Sequence, residues 1–327
     1  MLSRTAEGLF WMARYVERMD NTARLLNAGR RLDALPRRAS TEQSEWTSVV
    51  IASGCTESFA GGPEAANAID VCEHLVRDVT NPSSIVSCIN AARQNAKAVR
   101  PSLTSEVWEA INQTHAELKL HLKQELDRKN LSAFLDWVQS RSALIGGTVS
   151  DTMLRNDRFG FVQMGKWFER ADATARLLDV KYHVLLPEVT DVGGGLDYLQ
   201  WLQILRAANS ATAFRHIYGR SLDSEGVVDL LVLNEHSPRS LRRALDHLQY
   251  ELETLAQGDD SLQQELLSRL NYHHQMLTTL SVKDIFAEGL HEWLTRFILE
   301  TNSLAGMTAD AFGFGITPIE EHSQNIQ

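Results

Sequence analysis

The feature that most constrains this chain is a nineteen-residue stretch that occurs twice. Residues 8–26 align with residues 160–178, 152 positions later, and ten of the nineteen aligned positions are identical. Solenoid repeats have units of roughly 20–50 residues, so a separation of this size indicates two related halves of one fold. The identical pairs are Gly8/Gly160, Met12/Met164, Glu17/Glu169, Arg18/Arg170, Asp20/Asp172, Thr22/Thr174, Ala23/Ala175, Arg24/Arg176, Leu25/Leu177 and Leu26/Leu178.

Both copies have the pattern of a helix with charged residues beside an apolar stripe. At about 100° per residue, Asp20 falls close to the axis through Leu9, Ala13 and Val16, and Glu17 and Arg24 flank that apolar face. A carboxylate in such a place is unfavourable unless it is paired and hydrogen-bonded, and Arg24, four residues on, is the natural partner of Asp20. The stripe consists of Leu9, Met12, Val16, Met19 and Ala23, and of Phe161, Met164, Phe168, Ala171 and Ala175 in the second copy.

Each half therefore contains one E-R-x-D-x-x-x-R segment, which we call a cassette. Two interpretations follow from the pattern. The cassettes either form interhelical ion pairs that fix the register of the two halves, or they line a polar cleft. The cassette residues are Glu17, Arg18, Asp20 and Arg24 in the first copy, and Glu169, Arg170, Asp172 and Arg176 in the second.

The rest of the chain also has helical patterns. Asn81 is a predicted N-cap with Pro82 at the first helical position. The β-branched segment 226–234 is short and has no neighbouring partner strand, which favours a buried helix over a strand. We therefore predict an all-α, multi-helix bundle built from two related halves, each begun by a long cassette helix. The predicted halves are residues 1–156 and 157–312, packed as one unit, followed by a frayed tail at 313–327.

Charge and composition exclude several classes of protein. The formal net charge of −10 argues against nucleic-acid binding, which depends on basic patches. No run of about 18 apolar residues is present, so no membrane span is expected, and the first residues lack a secretory pattern. The three cysteines, Cys55, Cys72 and Cys88, are not closely paired, which fits reduced thiols in the cytoplasm.

No metal or cofactor is predicted. A carboxylate-bridged metal site in a helix bundle needs Glu-x-x-His pairs on two helices, and Glu288-x-x-His291 is the single pair with that spacing in the sequence. The phosphate-binding glycine motifs and the Gly-x-Ser-x-Gly nucleophile motif do not occur. The sequence therefore carries no self-sufficient catalytic motif.

Arginine and carboxylate side chains remain as the candidates for a ligand-binding site. Several arginines that converge in a helical cleft would suit a carboxylate or phosphate ligand through bidentate hydrogen bonds, whereas salt bridging within the protein is the alternative. Arg93 and the Pro238-Arg239-Ser240 turn add to the arginines of the first helix. The candidate ligand-binding residues are Glu7, Arg14, Glu17, Arg18, Asp20, Arg24, Arg93, Glu169, Arg170, Asp172, Arg176 and Arg239.

Several segments of this sequence resemble the signature of the bacterial alpha-E domain family. The strongest are Leu2-Ser3-Arg4-Thr5-Ala6-Glu7, Tyr15-Val16-Glu17-Arg18 and Ala23-Arg24-Leu25-Leu26. The resemblance covers nearly the whole chain. Further matching blocks are Asn81-Pro82-Ser83-Ser84-Ile85, Ala92-Arg93-Gln94-Asn95-Ala96, Glu106-Val107-Trp108, Trp167-Phe168-Glu169-Arg170 and Ser237-Pro238-Arg239-Ser240.

The resemblance implies a genomic setting and does not by itself imply a reaction. Members of that family are typically encoded beside, or fused to, circularly permuted ATP-grasp proteins, often near transglutaminase-like and proteasome-like proteins. This setting implies a system that forms and processes peptide or amide bonds. The sequence has no ATP-grasp or transglutaminase segment, so such partners are expected to be separate chains.

Three functional hypotheses follow. We favour a helical accessory protein of an ATP-grasp-linked system that binds a partner protein or a carboxylate-bearing, peptide-like ligand, without independent catalytic activity. The second is an enzyme in which Glu17 or Glu169, its pKa raised by burial, acts as general acid or base in amide-bond formation or hydrolysis. The third is a structural scaffold in which the duplicated helices form the surface of a homo-oligomer.

Overall fold

The computed structural model describes residues 2–35, 44–184, 194–219, 221–256 and 260–315. These residues form helices and connecting turns without a β-strand, so the predicted all-α multi-helix bundle is confirmed. The helices are α1 (Ser3–Asp33), α2 (Glu45–Ser53), α3 (Ala68–Val76), α4 (Ile85–Ala98), α5 (Ser105–His121), α6 (Arg128–Thr152), α7 (Asp157–Val184), α8 (Gly195–Ala207), α9 (Ala211–Tyr218), α10 (Ser224–Val228), α11 (Leu241–Leu255), α12 (Ser261–Thr279), α13 (Val282–Glu288) and α14 (Leu290–Ala311).

The two cassette helices, α1 and α7, lie at the centre of the bundle and pack against each other. Helices α4 and α6 cover α1, and helices α11 and α14 cover α7. Two shorter helices, α2 and α8, each pack on both cassette helices. Both cassette helices are therefore buried on several sides, so their charged residues lie inside the protein and need partners there.

Helices α1 and α7 approach closely at a glycine. A Cβ atom at Gly165 would lie 2.2 Å from the backbone carbonyl oxygen of Phe10 and 3.2 Å from the Cβ of Ala13. The contact is to backbone, which cannot move aside as a flexible side chain can. The absence of a side chain at Gly165 therefore sets the distance between the two central helices.

Two proline-containing turns begin α4 and α11, and a serine at the end of each turn caps the helix. Ser84 accepts a hydrogen bond from the Ser87 N–H, and Ser240 accepts one from the Arg243 N–H. The prediction that Asn81 caps α4 is wrong, because the Asn81 side chain instead accepts the Ser83 N–H and closes the turn. Serine is as good an N-cap as asparagine, so the sequence alone did not distinguish the two positions.

The segment at 226–234 is helical and buried, as predicted. It continues α10 as one π-helical turn, Asp229–Leu233, and its side chains Leu230, Leu231 and Val232 are fully buried. Among the described residues, no helix is both long and apolar enough to cross a bilayer.

The proposed division at residue 156 falls in the short link between α6 and α7, and the division and the duplication both stay predictions. Phe314, at the start of the predicted tail, is buried, and its ring lies 5.4 Å from the ring of Phe10. Residues 316–327 of that tail lie outside the described residues.

Candidate functional site

The Glu-Arg pairs of the two cassettes bond to each other across the contact between α1 and α7. Arg170 donates two hydrogen bonds to the carboxylate of Glu17, each 2.7 Å long. In the opposite direction, Arg18 donates two hydrogen bonds to Glu169, of 2.6 and 3.0 Å, and Arg14 donates one of 2.8 Å. Bidentate, charge-assisted pairs of this kind are strong and directional. The predicted interhelical ion pairs are therefore present.

The arginine partners determine the charge of both glutamates. Burial raises the pKa of each carboxyl, but the adjacent arginines outweigh it and lower the pKa of Glu17 and of Glu169 to about 2. The expectation that burial raises the pKa of Glu17 or Glu169 toward that of a general acid or base is wrong, because it left these partners out. Both groups are ionised at neutral pH, which argues against either as a proton donor.

The aspartates of the cassettes pair within their own helices, as the spacing predicts. Arg24 donates to Asp20 at 2.8 Å, and Arg176 donates to Asp172 at 2.7 Å. Arg24 also donates to the backbone carbonyl of Ala207 at the end of α8, 3.0 Å away. A cation is favourable at a helix C-terminus, where carbonyl groups lack partners within the helix.

The surroundings of the two aspartates differ. Arg239, from the turn before α11, donates to Asp20 at 2.6 Å and to Asn21 at 3.3 Å. At the second aspartate, Asp172, an amide approaches instead, with the Asn302 side chain at 3.5 Å. Burial and the nearby Arg24 lower the pKa of Arg239 to about 10. Asp20 consequently has one more positive charge beside it than Asp172 has.

A cavity of about 330 Å³ opens beside the first cassette, between α1, α6 and α7. Its ionisable groups are four cations and two carboxylates, so it has an excess of positive charge. On α6, added Cβ atoms at Gly146 and Gly147 would meet open space, so these glycines keep that wall open. The lining residues are Met12, Ala13, Val16, Glu17, Asp20, Arg24, Gln139, Ser142, Ala143, Ile145, Gly146, Gly147, Val149, Ser150, Val162, Gln163, Lys166, Arg170 and Arg239.

Lys166 is the cation in this cavity that has no carboxylate partner. It makes no hydrogen bond or ion pair with the described residues, and its ammonium lies 4.9 Å from the centre of the Trp167 ring. Burial, with a smaller contribution from Arg170, lowers the pKa of Lys166 to about 8, although Glu17 opposes the change. In the repeat, Lys166 aligns with Arg14, which binds Glu169 at 2.8 Å. Arg14 thus has a carboxylate partner in the second cassette, whereas Lys166 lies at the open cavity beside the first cassette.

The predicted site residues fall into two groups. Five of the twelve, Glu17, Asp20, Arg24, Arg170 and Arg239, line the cavity. The other seven do not line it. Five of those seven, Arg14, Arg18, Glu169, Asp172 and Arg176, form the ion pairs of the second cassette.

The remaining two predicted residues lie apart from both cassettes. Glu7 accepts a hydrogen bond from the Gly315 N–H at 3.3 Å. Arg93 donates to Asn112 at 2.9 Å and lies over the Trp108 ring. Both therefore make local contacts that do not involve the cavity.

Two charged residues that line cavities, Lys166 and Glu251, were not among the predicted site residues. Lys166 could have been found from the repeat, because its aligned residue is also a cation. Glu251, buried on α11, has no signal in the sequence: a glutamate on a helix is ordinary, and only the fold brings it beside a cavity. No group of three or more histidine, cysteine, aspartate or glutamate side chains suited to a metal occurs in the part of the chain that the structure describes.

A family model described as "a predicted alpha-helical domain with a conserved ER motif", named Alpha-E, matches residues 1–312. The chain belongs to the Alpha-E family. The Glu-Arg dipeptide of that description occurs here as Glu17-Arg18 and again as Glu169-Arg170. In this Alpha-E domain the two dipeptides are bound to each other, since each glutamate accepts hydrogen bonds from the arginine of the other copy.

Curated relatives of this Alpha-E chain include uncharacterized proteins of Mycobacterium tuberculosis and Mycobacterium bovis. They are 22% identical over 317 residues, a match that covers 90% of this chain and 35% of each relative. The Alpha-E chain therefore spans about a third of the length of these relatives. No solved structure matches the chain.

Proposed function

We propose that this Alpha-E chain is the binding component of an ATP-grasp-linked system that forms peptide or amide bonds. Its ligand is a peptide-like molecule, bound by its carboxylate in the cavity beside the first cassette. A circularly permuted ATP-grasp protein is the proposed partner, with a transglutaminase-like protein in the same system. Amide-bond formation consumes a carboxylate and an amine, so a carboxylate-binding cavity suits such a system.

The observation that carries the proposal is the imbalance of charge in the cavity. Glu17 is saturated by Arg170, and Asp20 is shared by Arg24 and Arg239. Lys166 stays without a counter-charge. A carboxylate that enters the cavity gains a charge-assisted hydrogen bond from Lys166 in partly desolvated surroundings, where such bonds are stronger than in water.

The link to an ATP-grasp protein has weaker support, from two sources. The resemblance to the alpha-E domain family implies that genomic setting. The curated relatives are about three times as long as their matching segment, so they contain further sequence beside it. Co-purification of the chain with the ATP-grasp protein encoded beside it tests this part. Recovery of the chain without that protein would count against the link and leave the carboxylate site untouched.

Replacing Lys166 with methionine is expected to weaken binding of tri-alanine at least ten-fold. The change removes the unpaired ammonium and keeps most of the side-chain volume. Isothermal titration calorimetry gives the dissociation constant. Lys97→Met is the matched control, because Lys97 is exposed on α4 and its loss changes the net charge by the same amount. Equal affinities for the two variants would contradict the proposal, as would equal binding of tri-alanine and its C-terminal amide.

Binding is also expected to weaken as the pH rises above about 8. Lys166 binds the carboxylate as an ammonium ion, and its pKa in the free protein is about 8. Above that pH the ligand binds only when the amine regains its proton, so the affinity falls by up to ten-fold per pH unit. Acetyl-tri-alanine is the probe, because its blocked amine does not titrate. A dissociation constant that is flat from pH 7 to 9.5 would contradict the role of Lys166.

A further inference from the structure

A second cavity, of about 530 Å³, lies between α11 and the first turns of α7. Glu251 lies in its wall with 6% of its surface exposed. The carboxyl of Glu251 makes no hydrogen bond or ion pair with any described residue. Buried carboxylates are normally paired, because an isolated charge away from water is strongly unfavourable. Glu251 is therefore a buried acceptor that lacks its counter-charge.

Arg155 is the cation whose charge acts on Glu251, and its guanidinium is held by other groups. The Arg155 guanidinium donates to the carbonyl oxygens of Ser150 and Met153 and stacks on the Phe159 ring, 3.9 Å from its centre. Burial raises the pKa of Glu251 to about 7, and Arg155 lowers it only in part. The carboxyl is thus ready to lose its proton when a cation arrives.

The imidazole beside Glu251 does not supply that cation. His247 stacks flat on the Trp167 ring, with the centroids 4.1 Å apart and the planes at 7°. Burial, together with the positive charges of Arg243 and Lys166, lowers the pKa of His247 to about 4. The imidazole is neutral at pH 7 and forms an aromatic wall of the cavity.

The two cavities are neighbours along one face of α7. Gln163 lines both of them. Phe159, Gln163, Lys166 and Arg170 follow each other at intervals of four, three and four residues, so they share a face of the helix. From Phe159, which lines the Glu251 cavity, to Lys166 the helix rises roughly 10 Å, which is about the length of an extended tripeptide.

We propose that the Glu251 cavity binds the primary ammonium group of the same peptide-like ligand whose carboxylate lies beside Lys166. This inference rests on the proposed function for the carboxylate end. It names the ligand class more closely, as a short zwitterionic peptide with a free amino terminus. Glu251 accepts from the ammonium, and the ring of His247 flanks it.

Calorimetric titration of the full chain with three probes tests the inference: tri-alanine, acetyl-tri-alanine and tri-alanine amide. We expect acetylation to weaken binding to the unmodified chain at least ten-fold. Glu251→Gln should weaken binding of tri-alanine by a similar factor and leave acetyl-tri-alanine unchanged. Glu253→Gln is the matched control, because Glu253 is exposed on the same helix, and it should change neither value.

The outcomes separate the two proposals. Equal binding of tri-alanine and its acetylated form overturns the role of Glu251 and leaves the carboxylate site standing. Equal binding of tri-alanine and its amide overturns the carboxylate site, while a ten-fold loss on acetylation would still support an ammonium site at Glu251. Both comparisons use the unmodified chain, so they do not depend on the folding of a variant. Failure of all three probes to bind overturns both proposals.

Discussion

Glu17→Gln is expected to lower the free energy of unfolding by about 3–5 kcal/mol, the range typical for removing one partner of a buried ion pair. The glutamine cannot balance the charge of Arg170, which would remain buried beside Arg239. Urea denaturation followed by circular dichroism measures the change. Glu109→Gln, on the exposed face of α5, is the matched control and should change stability by less than about 0.5 kcal/mol. A loss below about 1 kcal/mol at Glu17 would mean that the pair is not structural.

The ion pair between Glu17 and Arg170 also makes the stability of the protein depend on pH. The pKa of Glu17 is about 2 in the folded protein, against an ordinary value of 4.5. A depressed carboxyl pKa contributes stability above its unfolded value, and that contribution is lost as the pH falls through the folded value. The difference in stability between the unmodified chain and Glu17→Gln should therefore shrink between about pH 4.5 and pH 2.

Gly165→Ala is expected to destabilise the protein by about 1–3 kcal/mol or more, although alanine is the better helix former. The new Cβ would meet the backbone oxygen of Phe10 at 2.2 Å, so α1 and α7 would have to separate. That separation also lengthens the hydrogen bonds between Glu17 and Arg170. Denaturant unfolding again gives the change in stability.

Gly146→Ala provides the control for this substitution. It makes the same chemical change inside helix α6, where the added Cβ meets open space. Its expected effect is a gain of up to about 1 kcal/mol from helix propensity alone. A gain in stability for Gly165→Ala, like the one expected for Gly146→Ala, would show that the contact between the central helices is looser than described.

Local patterns in the sequence were enough to predict the helices and the partners within each cassette. The i,i+4 spacing identified Arg24 for Asp20, and the position of Asp20 on an apolar stripe indicated burial. Helical periodicity gives the face on which a side chain lies but not the helix that covers it. The exchange of partners between Glu17 and Arg170 therefore became visible only in the fold.

The charged residues beside the cavities were harder still to predict from the sequence. Lys166 and Glu251 are ordinary residues of helical segments. Each stands out because no oppositely charged side chain among the described residues pairs with it. Whether a charged side chain has a partner depends on residues that are distant in sequence. Arg239 was among the predicted site residues because its proline turn stood out, whereas Glu251 had no such local mark.

We propose above that Lys166 is the cation without a carboxylate partner in a carboxylate-binding cavity. The most direct test is the pKa of Lys166, measured by NMR on chain labelled with ¹³C at the lysine Cε, with assignment by Lys166→Met. We predict a pKa near 8 in the free protein and a value raised by one unit or more when tri-alanine is bound, because the carboxylate stabilises the ammonium form. A pKa that stays unchanged at saturating tri-alanine would contradict the proposed role of Lys166.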